Sequence, residues 1–498
     1  MPFAPRTIVE PFRVKMVEPL PFRTREVRAA RLIEARHNLF AVHAEDVTID
    51  LMTDSGTSAM SQDQWAAMIR GDESYAGARS FYELRDAVRS ITGLEHVIPT
   101  HQGRAAEHIL FSTLAAERAT PARATIVSNS HFDTTRANVE ATGMRALDLP
   151  IAEAKSPRSE HPFKGDLDVA ALDAFLVMHA ADVPLVLLTV TNNSVGGQPV
   201  SMANARAVRA VCDRHGVPLF LDCARFAENA WLVRQREPSQ KGRPPIDIAR
   251  DLFSLADGAL MSAKKDAFGN IGGFLALRDP SLAERCRQAL ILTEGFPTYG
   301  GLAGRDLAAL AVGLREVLDE RYLEYRIASI AYLFDRLDRV GVPLLRPAGG
   351  HAVYLDARAF LPHVPPSELP GQSVSIALFL EAGVRSVEIG TTMFGHTRPD
   401  GTQEPAALDL VRLAIPRRVY TQSHIDYVAE AVAYVHGLRR TLGGYRLVDE
   451  PKALRHFTCG FEPIQIAPAV SMAGEWISPR PREARRAARC AGRQGRGG

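Results

Sequence analysis

The feature that most constrains the fold is an ordered strand–helix–strand pattern in the middle of the chain. An apolar run over 183–190 predicts a buried strand, and another over 217–221 predicts a second strand. Between them, residues 202–215 repeat apolar side chains with a helical period. Strand, helix and strand in this order favour parallel pairing, because the helix carries the chain back across the sheet. The pattern therefore predicts an α/β fold.

The pattern changes several times along the 498 residues. Residues 1–50 are rich in arginine and proline and are predicted to form an N-terminal arm and part of a small domain. Short apolar runs alternate with amphipathic ones over 51–320, which predicts a large domain with a mostly parallel mixed sheet between helices. A smaller α+β domain is expected over 321–464, with strand candidates at 351–355 and 410–415.

The C-terminal segment 465–498 differs from the rest, and we predict that it is a disordered tail. Residues 477–498 contain seven arginines, one glutamate and no lysine, a composition that favours solvation. A nucleic-acid-binding appendage is the alternative interpretation of these arginines. The formal net charge of the whole chain is only +2, so the molecule as a whole gives no electrostatic case for nucleic acid.

Composition and hydropathy do not suggest a membrane or secreted protein. The chain is 46% hydrophobic and 23% charged, which is ordinary for a globular protein. It has no apolar run near the roughly 18 residues of a membrane span, and its N-terminus lacks the apolar segment of a signal peptide. The five cysteines are scattered without a CxxC pair, which is typical of a reducing compartment. We expect a cytoplasmic protein.

Two adjacent lysines at a strand end are the first indication of chemistry. Lys264 and Lys265 follow an apolar strand candidate over 258–261. A lysine desolvated beside a second cation has a lowered pKa, and its free amine can attack a carbonyl. A pair of solvated surface lysines is the alternative. The choice depends on the polar groups at the other strand ends.

Asp222 is the second such group, because it follows the strand candidate over 217–221. A buried carboxylate there needs a cationic partner, either Arg225 or a protonated heterocyclic nitrogen. The 43 residues from Asp222 to Lys265 leave room for one more helix and strand. An aspartate that keeps a pyridine protonated and a lysine that binds an aldehyde are the two essentials of a pyridoxal-phosphate site.

A helix start after the strand candidate over 97–100 predicts an anion site. Gln102, Gly103 and Arg104 begin this helix, where free N–H groups and the helix dipole favour an anion. Gly103 allows close approach of the backbone, and Arg104 adds a charge-assisted contact. Ser262 can add a hydroxyl from the lysine loop. An ordinary turn is the alternative interpretation.

Three further residues fit such a cofactor and an amino-acid substrate. Phe132 is a candidate to stack on the cofactor ring, although core packing is the alternative. Asn193 can hydrogen-bond the ring hydroxyl, or it is an ordinary turn asparagine. Arg412 lies inside an apolar strand candidate, where an arginine needs an anion. A substrate carboxylate suits its bidentate fork, and an internal salt bridge is the alternative.

Seven runs along the chain together resemble the β-eliminating lyases. In order they are LMTDSGT (51–57), GDESYAG (71–77), PTHQGR (99–104), GGQPVS (196–201), SAKKD (262–266), EGFPTYGG (294–301) and RHFT (455–458). The resemblance extends from about residue 10 to 460. It implies a fold-type I pyridoxal-phosphate enzyme that acts on an amino acid. It also implies a homotetramer, a dimer of dimers with active sites at the subunit interface.

The resemblance assigns roles within the cofactor site. It implies Lys265 as the Schiff-base lysine and general base, with Asp222 on the pyridine nitrogen and Arg412 on the substrate carboxylate. Lys264 would assist by its charge alone. The remaining cofactor-binding residues would be Gln102, Gly103, Arg104, Phe132, Asn193, Arg225 and Ser262.

Two further roles implied by the resemblance concern the leaving group and a cation. Tyr75 would donate a proton to the leaving group in the neighbouring subunit's site, with Tyr299 nearby. A potassium ion would bind Glu73 and the carbonyls of Gly56 and Asn270. Ligands that are all oxygen suit a hard cation of this kind.

Three positions separate the tryptophan-cleaving from the tyrosine-cleaving branch of the family. Tyrosine-cleaving members resemble one another in having arginine, threonine and phenylalanine where this chain has Ile389, Asp133 and His456. An indole N–H suits the acceptor Asp133, whereas a buried arginine unpaired against indole would cost roughly 1–3 kcal/mol. Thr53 and Tyr299 are expected beside these positions. Other parts of the scaffold look closer to the tyrosine-cleaving branch, but specificity depends on the site.

The expected reaction is β-elimination of L-tryptophan to indole, pyruvate and ammonia, through a quinonoid intermediate. Asp133 and Tyr75 would assist protonation of the indole carbon, with His456 beside them. Cleavage of L-tyrosine to phenol is the alternative within the family. An aminotransferase would share the lysine and the aspartate but would need a keto-acid acceptor.

Overall fold

The computed structural model describes residues 8–451 and 454–464, so the predicted tail at 465–498 lies outside the described residues. Its strands are β1 Ile49–Asp50, β2 His96–Thr100, β3 Thr125–Ser128, β4 Arg145–Asp148, β5 Val186–Thr189, β6 Leu219–Asp222, β7 Gly258–Ser262, β8 Gly273–Leu277, β9 Ala352–Asp356, β10 Val384–Arg385, β11 Val387–Ile389, β12 His396–Thr397, β13 Gln403–Glu404, β14 Leu410–Ala414, β15 Tyr445–Val448 and β16 Gly460–Pro463.

Helices connect most of these strands. They are α1 Arg25–Glu34, α2 Gln62–Arg70, α3 Arg79–Thr92, α4 Gly103–Ala116, α5 Asp133–Ala141, α6 Val169–His179, α7 Met202–His215, α8 Phe226–Arg236, α9 Pro245–Ser254, α10 Pro280–Thr293, α11 Gly304–Glu316, α12 Glu320–Arg339, α13 Ala357–Phe360, α14 Pro370–Ala382, α15 Thr391–Phe394 and α16 Gln422–Gly437. Within the described ranges, no helix is both long and apolar enough to cross a membrane.

The main sheet has seven strands in the order β2-β8-β7-β6-β5-β3-β4. Only β8 runs against its neighbours β2 and β7, and the remaining pairs are parallel. The sheet confirms the predicted α/β class and its mostly parallel, mixed character. It also confirms the predicted β5, α7 and β6 unit, in which Val186 lies opposite Leu219 in parallel register.

The strands β5 and β6 are shorter than the apolar runs that predicted them. Each run has a proline near its start, Pro184 or Pro218. Proline has no N–H to donate to a neighbouring strand, so regular pairing begins after it. The carbonyl of Pro218 still accepts from the N–H of Val186 at 2.9 Å.

Helices cover both faces of the main sheet, which places its strands in the core. Leu187 packs with Ile109 of α4 on one face, and Leu188 packs with Val208 of α7 on the other. These leucines are fully buried, and each such side chain contributes roughly 1.5–3 kcal/mol to folding. Burial on both faces explains why the strand reads as a continuous apolar run.

The chain between Asp222 and Lys265 differs from the single helix expected there. It contains two helices, α8 and α9, before strand β7. Prolines at 238, 244 and 245 separate them, because proline cannot continue a helix from within. The expectation of one helix was therefore wrong, although the strand that precedes the lysines is present.

A second sheet of three antiparallel strands lies in the later part of the chain, in the order β11-β14-β9. Apolar side chains of α12, α14 and α16 pack with it. Arg412 of β14 lies opposite Tyr354 of β9 and Val387 of β11. Residues 49–50 pair in parallel with 384–385, so the end of the N-terminal segment joins this part. The domain boundaries near residues 50 and 320 stay predictions.

Candidate active site

The polar groups predicted at three strand ends lie at one edge of the main sheet. Asp222 ends β6, and Ser262 ends the neighbouring β7 just before Lys265. Gly103 begins α4 so close to this loop that an added β-carbon would lie 2.8 Å from the Ser262 β-carbon. A glycine is therefore required here for the helix start to meet the lysine loop.

Lys265 has an unusually acidic ammonium group. Burial of the side chain and the nearby Arg225 lower the pKa of Lys265 to about 8, and Lys264 adds to this effect. Asp54 and Asp222 act in the opposite direction. At pH 7 roughly a tenth of the amine is then neutral, against a few parts in ten thousand for a free lysine. The lowered pKa agrees with the prediction made from the lysine pair.

Lys264 has a different environment from its neighbour. Its Nζ donates to Gln102 Oε1 at 3.3 Å, across to the residue that caps α4. Burial and the charge of Arg104 lower the pKa of Lys264. The side chain thus contributes positive charge between the lysine loop and the helix start.

Among the described residues, no arginine forms an ion pair with the carboxylate of Asp222. Arg225, the candidate partner, instead donates through Nε and Nη2 to Asp54, at 3.0 and 2.7 Å. Burial raises the pKa of Asp222, and the amine of Lys265 is the main group opposing this shift. Pairing with Arg225 was therefore wrong for this structure. The other predicted partner, a protonated heterocycle, fits the partly exposed carboxylate.

Glu107 of α4 is a buried acid that sequence reasoning missed. Its carboxylate accepts hydrogen bonds from Thr135 Oγ1 at 2.6 Å and Asn138 Nδ2 at 3.0 Å. Burial, together with the charge of Asp222, raises the pKa of Glu107 to about 7. A glutamate four residues after Gln102-Gly103, on the apolar side of a helix, was the available signal.

Six buried charged side chains form an ion-pair network, which is the second feature that sequence reasoning missed. Arg417 lies at its centre and is completely buried. Its guanidinium donates at 2.8 Å to a carboxylate oxygen of each of three residues, Asp54, Glu228 and Asp266. The three carboxylates balance three guanidiniums, and the six members are Asp54, Glu228, Asp266, Arg225, Arg326 and Arg417. The signal was a glutamate at 228 within the apolar α8.

This charge network holds the lysine loop. Asp266 directly follows Lys265, and its carboxylate also accepts from the N–H of Ala227 at 2.9 Å. Burial raises the pKa of Asp266 to about 6 in spite of the ion pair with Arg417. Because Arg417 follows β14, the network also ties the lysine loop to the second sheet.

Asn193 connects the ring-binding and carboxylate-binding candidates. Its Oδ1 accepts from Tyr354 Oη at 2.7 Å and from Arg412 Nη1 at 3.1 Å. His351 Nε2 lies 2.9 Å from the same oxygen, and burial holds the pKa of His351 well below its usual range. With its oxygen engaged, the Asn193 amide nitrogen remains as a donor.

Arg412 is buried without a carboxylate. Its Nη2 donates to the carbonyl of Met52 at 2.8 Å, and its Nε has no hydrogen-bond partner among the described residues. Within the same ranges no aspartate or glutamate forms an ion pair with it, so the internal salt bridge is not observed. A buried guanidinium in this state is suited to an incoming carboxylate.

Two of the three predicted specificity positions are in contact although far apart in sequence. His456 Nε2 lies 2.9 Å from Asp133 Oδ2, and both side chains are buried. Asp133 begins α5 directly after Phe132, which is partly buried. Ile389 is buried on β11 in an apolar cluster with Met52, the residue before Thr53. The structure therefore brings an acidic acceptor and an imidazole together and leaves Ile389 in a buried apolar cluster.

Other predicted site residues lie apart from this group. Tyr75 is 71% exposed, and its ring centroid lies 5.4 Å from that of Tyr299. Glu73 is also exposed and pairs with Arg305 at 3.3 Å. A single chain thus brings Tyr75 and Tyr299 together but places no hydrogen bond between them and the lysine loop in the described residues.

The predicted cation ligands are only partly gathered. Asn270 Nδ2 donates to the carbonyl of Gly56 at 3.1 Å, and the Asn270 carbonyl lies 3.1 Å from where a β-carbon on Gly56 would stand. In the part of the chain that the structure describes, Glu73 forms no hydrogen bond with either residue and pairs with Arg305 instead. Within the described ranges no cluster of three acidic, histidine or cysteine side chains suggests a further metal site.

The residues present fit pyridoxal phosphate. The start of α4 offers free backbone N–H groups, and Gly103 keeps the approach to them clear of side-chain atoms. Arg104 is exposed beside this helix start, and Ser262 is partly exposed. Partly exposed Asp222 and Lys265 supply the acid and the amine that the pyridine and aldehyde require.

Comparison with known proteins agrees with this geometry. The profile of the family described as "Beta-eliminating lyase" matches residues 50–431. A tryptophanase of Rhodobacter capsulatus is 58% identical over 92% of this chain and 99% of its own length. A tryptophanase of Salinibacter ruber is 56% identical over 92% and 96%. A tyrosine phenol-lyase of Intrasporangium calvum is 50% identical over 92% and 96%.

Solved structures support the fold. A serine palmitoyltransferase of Sphingomonas wittichii matches with a TM-score of 0.54 at 16% identity, over 79% of this chain and 88% of that one. At this identity the match concerns the fold alone, which is that of fold-type I pyridoxal-phosphate enzymes. The family profile covers well over half of the chain, and relatives above 50% identity cover more than nine-tenths of it. The chain therefore belongs to the β-eliminating lyases.

Proposed function

We propose that the protein is a carbon–carbon lyase that converts L-tryptophan to indole, pyruvate and ammonia with pyridoxal phosphate as its cofactor. The observation that carries the proposal is the buried contact of Asp133 with His456. Tryptophanases at 56–58% identity support it further, because the tyrosine phenol-lyase is 50% identical. A threonine and a phenylalanine could not make the Asp133–His456 contact.

When bound, pyridoxal phosphate supplies an electron sink that stabilises negative charge at the α-carbon of an amino acid. The N-terminus of α4 and Ser262 would hold its phosphate, and Asp222 would keep a proton on its pyridine nitrogen. At an effective dielectric of 20, a carboxylate and a cation in contact attract by roughly 4 kcal/mol. Phe132 would pack on the ring, and Asn193 would donate to the ring hydroxyl.

The chain's own residues provide the remaining steps. Arg412 would bind the substrate carboxylate, which supplies the anion that this buried guanidinium lacks. The neutral amine of Lys265 would then remove the α-proton as a general base. Asp133 would accept a hydrogen bond from the indole N–H and thereby orient the ring. Thr53 and Ile389 would bound the space for the apolar part of the indole.

Tyr75 would donate the proton to the leaving carbon. This role requires a second copy of the chain, because Tyr75 would act in the site of a neighbouring subunit. Its phenol is 71% exposed and stands next to Tyr299 and Phe296, away from the lysine loop. We assign it to the neighbouring subunit's site, in a homotetramer built as a dimer of dimers. Three exposed or partly exposed aromatic rings on one surface favour burial against a partner.

The same geometry bears on potassium. Gly56 and Asn270 are adjacent, whereas Glu73 lies on the exposed segment that carries Tyr75. If Tyr75 serves a neighbouring site, Glu73 accompanies it, and the carboxylate would meet the two carbonyls of the other subunit. We therefore propose a potassium site between subunits.

The cytoplasm is the proposed location of the protein, because the four cysteines that the structure describes are free.

The decisive experiment offers the holoenzyme tryptophan, tyrosine and cysteine in turn, without a keto acid. Indole and pyruvate should form from tryptophan faster than phenol forms from tyrosine. Faster release of phenol would assign the protein to the tyrosine-cleaving branch. Pyruvate formed without an acceptor would exclude an aminotransferase, and no pyruvate from any of the three would refute the proposal.

A further inference from the structure

A small cavity beside His456 is lined by buried polar atoms that lack partners. Its volume is about 10 Å³. Besides His456 Nε2, which lies 2.9 Å from Asp133 Oδ2, four atoms of its lining residues have no hydrogen-bond partner in the part of the chain that the structure describes, namely Ser386 Oγ, Glu388 Oε2, Thr392 Oγ1 and His456 Nδ1. Each of the four side chains is at most 3% exposed. One such atom left unsatisfied costs about 1–3 kcal/mol, so four at one place call for an occupant.

The size and chemistry of the cavity fit one water molecule. A buried water needs roughly 10–15 Å³ and two to four polar partners. Leu39, Phe40 and Met52 supply apolar walls, and the amides of Asn38 and Gln372 also line the cavity but donate to backbone carbonyls.

We propose that this cavity binds one ordered water that links Glu388 to His456, and that Glu388 is thereby a positioning residue for recognition of the indole ring. The inference deepens the proposed function and rests on it, because His456 matters through its contact with Asp133. Glu388 precedes Ile389 on β11, so one strand carries both the apolar wall and this acid.

The direction of the hydrogen bonds follows from Asp133. Its carboxylate is an acceptor 2.9 Å from His456 Nε2, although the pair is not aligned as a hydrogen bond in the free protein. A hydrogen on Nε2 suits that acceptor, which leaves Nδ1 as an acceptor in the neutral ring. The water donates to Nδ1, and a protonated Glu388 donates to the water. Glu388 therefore fixes the hydrogen of His456 on Nε2, the nitrogen that faces Asp133.

Glu388 is kept in the protonated form by its surroundings. Burial, and then the neighbouring carboxylate of Asp409, raise the pKa of Glu388 to about 8. The N–H of Thr392, which donates to Glu388 Oε1 at 3.0 Å, and the charge of Arg455 oppose this shift. His456 is the remaining titratable group at the cavity. The link is thus complete at pH 7 and is lost as the pH rises above about 8.

Two variants of Glu388 test the proposal in the holoenzyme, with tryptophan and cysteine as substrates. Cysteine has no ring for His456 and Asp133 to orient, so its elimination reports the rest of the site. Glu388→Leu should lower kcat/KM for tryptophan about tenfold, the worth of one hydrogen bond, and leave cysteine within about twofold. Glu388→Gln keeps a donor, so it should retain tryptophan activity at pH 7 and no longer lose it around pH 8. Glu324→Gln, at an exposed site on α12, is the control.

Three results would overturn the proposal. Equal losses on tryptophan and cysteine in Glu388→Leu would show a general structural role. If the activity of Glu388→Gln on tryptophan still fell around pH 8, another group would be responsible for the pH dependence. A high-resolution crystal structure of the holoenzyme without a water between Glu388 and His456 would remove the link itself. A wild-type enzyme that forms phenol but no indole would refute the proposed function instead, and the crystallographic water would still decide the cavity.

Discussion

Replacement of Arg417 by methionine should be among the most destabilising single changes in this chain. Methionine approximates the length of the arginine and removes its charge. Arg417 is fully buried and makes 2.8 Å contacts with three carboxylates. Two of these keep another arginine, since Asp54 retains Arg225 and Glu228 retains Arg326. Asp266 keeps only the N–H groups of Ala227 and Glu228.

The cost is therefore concentrated on Asp266. Removing one partner from a buried ion pair typically costs about 3–5 kcal/mol, because the remaining charge is uncompensated. Asp266 already has a pKa of about 6 against 3.8 for a free aspartate, so its ionised form is disfavoured on folding. Loss of Arg417 raises this pKa further, and protonation then relieves the strain. Destabilisation should be largest above the new pKa and should shrink as the pH falls through it to about 6, the pKa in the wild type.

Urea denaturation of the variant and wild type at pH 8 and pH 5.5 measures this effect. Arg321→Met, at an exposed position on α12, is the matched control for loss of one arginine. We expect the Arg417 variant to lose several kcal/mol at pH 8 and clearly less at pH 5.5. A loss within about 1 kcal/mol of the control at both values would refute the argument, since surface changes have effects of that size. The variant should also bind pyridoxal phosphate more weakly, because Asp266 adjoins Lys265.

Three further predictions concern the cofactor and substrate sites. Capture of pyridoxal phosphate by the apoenzyme needs the neutral amine of Lys265, so the rate of capture should rise about tenfold per pH unit up to pH 8 and then level off. Stopped-flow absorbance measures this rate, and a rate that stays constant from pH 6 to 8 would contradict the prediction. Arg412→Met should raise KM for tryptophan about 10–100-fold without abolishing cofactor binding, and an unchanged KM would remove Arg412 from the carboxylate site. Inactive Tyr75→Phe and Lys265→Ala enzymes, mixed after dissociation, should regain activity in hybrids, and no recovery would place Tyr75 in its own subunit's site.

Much of the fold could be predicted because it depends on local pattern. The helix over 202–215 has the bounds that its period predicts, and the strands on either side pair in parallel. The errors have local causes as well. Pro184 and Pro218 shorten two strands, and prolines between 238 and 245 divide a connection into two helices. A prediction that weighed the missing N–H of each proline would have avoided them.

The site was only partly predictable, because long-range partners have no local pattern. The lysine pair, Asp222 and the α4 start each end or begin an element, so parallel topology places them together. Arg225 was one of two candidate partners of Asp222 because it is three residues away, whereas Arg225 pairs with Asp54, which lies 171 residues away. The Asp133–His456 contact likewise depends on tertiary packing. A charge inside an apolar helix, as at Glu228, signals that a partner exists but not which one.

The two features that the sequence did not predict, the charge network around Arg417 and the cavity beside His456, position the predicted residues. The charge network around Arg417 fixes the loop that carries Lys265, and it contributes position but no chemistry. The cavity beside His456 does the same for recognition of the ring, since Glu388 and a water would orient an imidazole that then orients Asp133. Parts of both supports lie on helices or strands, with Glu228 on α8, Arg326 on α12 and Glu388 on β11, where packing limits movement more than in a loop. Substrate preference in this family should therefore respond to changes at Glu388 as well as at the residues that contact the ring, and a variant that alters only the contact residues would leave the supporting hydrogen bonds arranged for the original substrate.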